Sequence, residues 1–317
     1  MKNYLFLLKK VQLLLLAMTF TLSSCNLDKI LDRFLGDDDD YDGFLSSEFV
    51  EPEYEVIDYS EFDNEPYAEY AAKYIISDID GIGSVELFGD GSFVILPSEN
   101  GDPKAEAQLA DAVKTRSTTI YMLENMFYAF GEYTSNGDGV YYLEGIGTMT
   151  VGDYVITFDF NDWQYVEPPH FSGTESKYYK ETPKSESEFV KALCRRWVIV
   201  GISEYGRYCD YDIDYDYMVY EFGYESYIEC SRYGTYMTNA RDEYGWDIPD
   251  VGEWEILNDG RKIRYYTGFD SVHKWVEANV EFVRYKDKPG RYMRLELTKI
   301  YIGDNDYVNI NSVVIFK

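Results

Sequence analysis

Histidine is almost absent from this chain of 317 residues; there are two, His170 and His273. With no serine or cysteine in a nucleophile elbow either, a Ser–His or Cys–His triad has nothing to rest on. Both histidines are expected in structural or solvent-facing roles. Cysteine is scarce too. Four are present, none spaced as C-x-x-C or grouped with histidine, which argues against a zinc site. Basic residues number 29 against 58 acidic ones, a formal charge of −29. A surface of that sign repels phosphate backbones and anionic headgroups, which argues against nucleic acid as a partner; it also attracts divalent cations. Two glycine groups (Gly81, Gly83; Gly145, Gly147) lack the strand–loop–helix setting of a phosphate cradle and read as turns or bulges. No spacing among the acids selects a glycosidase-like carboxylate pair. The expectation is therefore a non-enzymatic protein with no cofactor.

What the chain has in quantity is aromatic side chains, 18% of residues including 33 tyrosines, far too many for a disordered polymer. Its first residues have a distinct character. Lys2, Lys9 and Lys10 precede an apolar run from Val11 to Phe20, which is too short for a comfortable bilayer span and ends at small residues. Residues 1–24 thus read as a secretion signal. The string Leu22-Ser23-Ser24-Cys25 resembles the lipobox of bacterial lipoproteins. That resemblance implies cleavage before Cys25, diacylglycerol on its thiol and acylation of the new amino group. Several buried acyl chains hold far longer than one, at about 0.8 kcal/mol per methylene. The mature chain would carry a formal charge of −32. Asn26 stands where Gram-negative lipoproteins retained at the inner membrane carry Asp, and Asp37–Asp40 resembles the acidic surface-export signals of some groups. The expected location is the outer membrane, lipid-anchored, at the cell surface. Of the remaining cysteines, Cys194, Cys209 and Cys230, one pair at most can form a disulfide.

Beyond the signal, residues 25–66 read as an acidic tether containing Pro52 and Pro66. A first β module is expected over 67–166. Runs at 84–88 and 93–96 flank Gly89-Asp90-Gly91, a hairpin; 103–114 has helical spacing; strands return at 127–133, 140–151 and 154–160. Residues 167–184, with Pro168-Pro169 and Pro183, read as a linker. Ser185 with Glu188 suggests a capping box opening a short helix. After it the chain reads as strands at 197–203, 218–222, 226–231, 252–257, 262–266, 275–285, 292–299 and 307–316. The fold class is thus mainly β, two antiparallel β modules. About eight strands in a meander make a closed barrel the economical form of the second, because closure removes exposed edges.

The helix running into Trp197, followed by hairpins carrying Gly252-Glu253-Trp254-Glu255-Ile256 and Asn258-Asp259-Gly260, resembles the lipocalin-like domains of bacterial lipoproteins over 185–317. A lipocalin-like barrel with a short N-terminal helix is what the resemblance implies. Lipocalins usually place glycine two residues before that tryptophan; here the position is Arg195.

Two groups of residues are candidate sites. Asp210, Asp212, Asp214, Asp216 and Glu221 approach the ligand spacing of an EF-hand calcium loop, but the sixth place, which needs glycine, is Tyr215. A solvated acidic loop or strand is the stronger expectation. Asp38, Asp40, Asp42 and Gly43 make a second near match, with Glu48 one residue short of the required place. Trp163, Trp246, Trp254 and Trp275 fall near strand ends, and Trp254 and Trp275 are candidates to stack on a sugar or apolar ligand, although aromatics of this kind also fill β cores. The expected activity is binding of a small hydrophobic ligand, a glycan or a protein partner. The alternatives are a carboxylate-based glycan hydrolase and a structural subunit of a surface complex.

Overall fold

A computed structural model describes residues 50–62, 70–79, 82–97, 119–123, 126–162, 174–204, 207–241, 247–257, 261–267, 274–303 and 306–317. The expected helix at 103–114 and both histidines lie outside these residues. Two compact units emerge. One draws on the described residues of Met1–Asp63, Ser187–Cys230 and Gly234–Lys317; the other comprises Asn64–Glu186 with Ser231–Tyr233. The second unit is therefore inserted, in chain order, within the first. Among the described residues no helix is long and apolar enough to cross a membrane.

The first strand, β1 (Tyr54–Val56), belongs to the C-terminal unit and is followed by a 3-10 turn at Tyr59–Phe62. The inserted unit holds β2 (Ala72–Ile76), β3 (Ile82–Leu87), β4 (Ser92–Pro97), β5 (Thr119–Leu123), β6 (Met126–Ser135), β7 (Val140–Leu143), β8 (Gly147–Val151), β9 (Val155–Asp159) and β10 (Glu175–Lys180). Their order is β4-β3-β2-β10-β9-β8-β7-β6-β5, all antiparallel, and the β4–β6 pairing closes an eight-stranded barrel on which β5 rides as a hairpin. Alternation explains the filling: Ala72, Tyr74 and Ile76 turn inward from β2, Ile156 and Phe158 from β9, to meet Leu87, Phe93, Ile95, Leu143 and Met149. The strand β10 lies in the stretch read as linker. Its only fully buried side chain is Ser176, so no apolar alternation marks it. Its pairing with β2 and β9 closes the ring, and the Ser176 hydroxyl accepts from the N–H groups of Ser77 and Asp78.

Gly147 opens β8 at φ +135°, and a Cβ there would stand 2.1 Å from the Asp159 carbonyl oxygen. Gly147→Ala is expected to cost this barrel about 1–3 kcal/mol, since the clash is with backbone and the φ is strained for any other residue. A urea midpoint unchanged from the parent would contradict this.

The C-terminal unit continues with α1 (Glu188–Leu193), β11 (Arg196–Glu204), β12 (Arg207–Asp210), α2 (Tyr215–Phe222), β13 (Tyr224–Cys230), β14 (Thr235–Arg241), β15 (Asp247–Leu257), β16 (Lys262–Thr267), β17 (Lys274–Tyr285), β18 (Tyr292–Gly303) and β19 (Asp306–Phe316). The ring β11-β13-β14-β15-β16-β17-β18-β19 closes through β11–β19, giving a second antiparallel eight-stranded barrel, a lipocalin-like meander. Strand β12 is a hairpin arm on β11, and β1 pairs with the end of β17. Val276, Ala278, Val280 and Phe282 face inward as their alternation requires.

Two local expectations are corrected. The helix α1 is capped by Ser187, whose hydroxyl accepts from the Val190 N–H, and not by Ser185. Residues 218–222 are helix and not strand. Met218 and Phe222, one turn apart, are its buried face, and Gly223 at φ +73° ends it by receiving the chain in the left-handed region.

The tether reading also shortens. Residues 51–62 form a strap on the C-terminal barrel. Its backbone is held by Ile57 N–H to the Phe282 carbonyl (2.9 Å) and Lys286 N–H to the Glu53 carbonyl (3.0 Å). Its acids find bases: Glu51 with Arg294, Glu53 with Lys286, Glu55 and Glu61 with Arg284. The run of acids that reads as a solvated leash is thus partly neutralised by residues some 230 positions away.

Candidate functional site

The residues singled out in the sequence are scattered. Cys25, Trp163 and Trp246 lie outside the described residues, as does the Asp38–Glu48 near match. Trp254 and Trp275 do not share a site. Trp254 is paired with Tyr265 and faces the barrel interior, 2% exposed; Trp275 is paired with Tyr266, and the Arg264 guanidinium lies over its ring at 4.5 Å. Strand alternation puts them on opposite faces of the sheet wall. Trp254 is a core residue, and Trp275 packs within a cross-strand charge network. In that network Arg264 donates to Glu277 (2.7 Å) and Glu255 (3.2 Å), and Lys262 pairs with Glu277 at 2.5 Å.

Aromatic rings cluster around Phe282 in the C-terminal barrel. Phe282 makes ring contacts with Tyr59, Phe62, Phe189 and Trp197, at centroid separations of 5.0–6.2 Å. The Trp197 indole N–H donates to the Leu193 carbonyl (3.1 Å), and Arg195 and Arg291 lay their guanidinium groups on Phe62 at 4.6 and 4.5 Å. The strap, α1 and β17 converge here, and Arg195, in place of the usual glycine, caps the cluster. Cys194, Cys209 and Cys230 are all free and buried. Burial pushes the Cys209 and Cys230 thiols up to about 12, where the nucleophilic thiolate is scarce.

Asp210 is not a calcium ligand in waiting. One carboxylate oxygen accepts the N–H groups of Asp212 (3.0 Å) and Ile213 (2.9 Å), starting the turn into α2. The other accepts from the Tyr208 hydroxyl (2.7 Å) and from Lys288. Burial works against the charged form here, but Lys288, Tyr208 and the Ile213 N–H outweigh it and hold the carboxyl below its usual range. The chain then enters α2 directly, so the remaining acids never wrap into a twelve-residue loop. Glu221 sits on that helix. Among the described residues no group of three or more His, Cys, Asp or Glu is placed to hold a metal.

A depressed carboxyl adds stability above the ordinary carboxylate range of about 4, and that stability is lost as pH falls through the lower folded value. Asp210→Asn is accordingly expected to cost about 2–3 kcal/mol near pH 7, where it leaves Lys288 facing an uncharged partner, and much less in strong acid. Parallel stability–pH curves for parent and variant would refute the assignment.

What α2 does present to solvent is a surface that the Asp/Tyr alternation hinted at but misplaced. Tyr215, 53% exposed, stands between Tyr211 and Tyr224, with ring centroids 6.0 and 6.4 Å away. The Tyr211 hydroxyl donates to the Gly223 carbonyl (3.0 Å), which fixes that ring against the end of the helix. Ile213 is exposed beside them, as are Asp212, Asp216 and Glu225. Glu225 has φ +52°, a left-handed conformation uncommon for a residue with a Cβ, and a register shift follows it in the β13–β14 pairing. The kink carries Tyr224 and Glu225 out of the regular alternation of β13. The sequence signal for this surface was Gly223 after a short apolar pair, a helix ending, and it was overridden by the period-two pattern.

No protein-family model and no curated protein matches the chain. A crystal structure of a protein of unknown function from Bacteroides ovatus is similar over 84% of this chain and 89% of that one, at 12% identity and a TM-score of 0.24. A likeness that slight carries no argument.

Proposed function

We propose that this protein is a lipid-anchored outer-membrane lipoprotein, displayed at the cell surface, that binds a ligand and does not transform it. The basic start, the short apolar run and Leu22-Ser23-Ser24-Cys25 support the anchor, with lipid on Cys25. Glu51 is the first described residue to contact the C-terminal barrel, through Arg294 and Tyr285.

The observation that carries the binding reading is the row of Tyr211, Tyr215 and Tyr224. Tyrosine offers a large, rigid contact area with a polar tip and only two side-chain torsions to order, which is why it serves so often in recognition surfaces. Two exposed rings, Tyr215 and Tyr224, with the half-buried Tyr211 against Tyr215, mark an interaction patch more readily than single exposed apolar residues do.

Two measurements test this reading. Intact mass of the protein extracted from its native membrane should show the acyl additions on the fragment that begins at Cys25; a bare cysteine there would remove the anchor. A screen of glycans and peptides against the mature protein should yield ligands whose affinity falls in Tyr215→Ala and Tyr224→Ala. Affinity for every ligand found being indifferent to both changes would remove the binding surface.

A further inference from the structure

We propose that Asn136, in the loop between β6 and β7, is a covalent modification site: its side-chain amide becomes a carboxyl through a cyclic imide formed with the peptide nitrogen of Gly137.

The chemistry needs no partner but water. The Gly137 nitrogen attacks Asn136 Cγ, and the new C–N bond closes the imide ring. The side-chain NH2 leaves as ammonia, taking the proton that Gly137 gives up. Water then opens the ring at one of its two carbonyls. One opening leaves an ordinary Asp; the other leaves isoaspartate, with the main chain routed through the side chain. Nothing is oxidised or reduced.

The loop sets the reacting groups in place. The Ser135 hydroxyl donates to the Val140 carbonyl (3.0 Å), which turns its lone pairs toward Gly137, and it accepts the Gly137 N–H at 3.2 Å. The nitrogen that must lose its proton thus already gives it to an oxygen. On the other side Asn136 Oδ1 accepts the Asp138 N–H at 3.3 Å. That bond folds the side chain back over its own backbone and polarises the amide carbonyl where negative charge grows as the nitrogen adds. Gly137, at φ +100°, has no Cβ to shield its nitrogen, and both residues are exposed to water.

Comparable turns each lack one of these features. In Asp90-Gly91 the Asp90 Oδ1 accepts the Ser92 N–H and hydroxyl (2.9 and 2.7 Å), but an ionised carboxylate is a poor electrophile, and the Gly91 N–H is directed at the Phe88 carbonyl. In Asp138-Gly139 the side chain is again a carboxylate, and the Gly139 N–H is held by the Gly137 carbonyl at 2.6 Å. Asn279 lies within β17, its amide donates to Glu296 (2.9 Å), and the branched side chain of Val280 shields the following nitrogen. The other Asn-Gly pair of the sequence, Asn100-Gly101, lies outside the described residues.

Conversion places a second negative charge beside Asp138. Isoaspartate also adds a backbone carbon to a loop whose ends are fixed, by the Ser135–Tyr141 pairing and by the Val151 N–H on the Gly139 carbonyl (2.7 Å).

The test holds the full mature protein in mildly alkaline buffer and follows it by peptide mapping that separates Asp from isoaspartate. Isoaspartate is expected at 136, at a rate that rises with pH, while Asn279 stays intact. Asn136→Gln, which must close a larger and slower-forming ring, should abolish the conversion. Ser135 acts as a positioning residue: Ser135→Ala should slow the conversion about two- to tenfold, the effect of one neutral hydrogen bond, and Ser135→Thr, which keeps the hydroxyl, should restore the parent rate. Asn136 remaining intact, whether or not Asn100 reacts, overturns the site. Conversion in Ser135→Ala as fast as in the parent, or faster, overturns the role of the loop, because the pair would then react by its sequence alone. Thermal unfolding of each variant shows that the fold is retained.

Discussion

A chain beginning at residue 63 is expected to fold its C-terminal barrel poorly, with a loss of about 4–6 kcal/mol relative to one beginning at Cys25. The strap removed by this truncation supplies two buried apolar residues, Ile57 and Phe62, 6% and 2% exposed. Burying such side chains is worth about 1.5–3 kcal/mol each. It also supplies Glu51, which grips Arg294 with both carboxylate oxygens. Glu51 receives the Arg294 Nε–H at 2.7 Å and the second guanidinium nitrogen at 3.0 Å, and takes the Tyr285 hydroxyl at 2.7 Å. Without it the Tyr285 hydroxyl loses this acceptor, and Arg294, 11% exposed, keeps, among the described residues, the more exposed Glu281. Beneath them lie Val283, Tyr285, Tyr292, Val313 and Ile315, a second apolar layer on the face of β17–β19 opposite the barrel interior, against which Tyr54 packs. The paired acids Glu53 and Glu55 are exposed on both sides and are expected to add little. Urea unfolding followed by tryptophan fluorescence checks the loss, because Trp197 is 5.9 Å from Phe62. An unchanged midpoint would return residues 51–62 to the role of leash.

The parts of the fold that could be read from the sequence are those in which a local pattern coincides with burial. The hairpin of β3 and β4 around Gly91, at φ +100°, and the inward row Val276, Ala278, Val280 and Phe282 are of this kind. The meander of about eight strands matches the closed barrel, although 218–222 is helix and β14, Thr235–Arg241, takes its place in the count. What escaped was set by partners distant in the chain. Strand β10 buries little beyond Ser176, and its place depends on β2 a hundred residues earlier. The strap is polar in composition, and what holds it, the burial of Ile57 and Phe62 and the grip of Glu51 on Arg294, depends on residues far along the chain. At the candidate site the alternation of Asp and Tyr from 210 to 217 imitates a strand. The Asp210 carboxylate, by taking two successive backbone N–H groups, bends it into a turn and then a helix. The acids were visible as a candidate ligand set; the structure instead sets the exposed ring of Tyr215 between those of Tyr211 and Tyr224. Trp254 and Trp275 lie on opposite faces of the sheet, because Trp254 pairs with Tyr265 and Trp275 with its neighbour Tyr266.

Phe282→Ala should produce the largest single-residue effect in the molecule, about 3–5 kcal/mol. The side chain is fully buried and lies among four aromatic rings contributed by the strap, α1 and β11, so no one neighbour can move to fill the space without abandoning another. Trp197 is additionally held by its indole hydrogen bond to Leu193, and Phe62 by two guanidinium groups. Collapse into the cavity is therefore resisted, which places the cost toward the upper end of the range for such truncations. A double-mutant cycle with Phe62→Ala separates packing from the hydrophobic contribution of each ring. The rings are 5.0 Å apart, and a coupling energy of about 1 kcal/mol is expected. Strict additivity would mean that the strap turn and the barrel end fold independently, and with that the account of the strap as part of the barrel would fail. If the coupling is present, the strap turn and the aromatic end of the barrel form one packed unit.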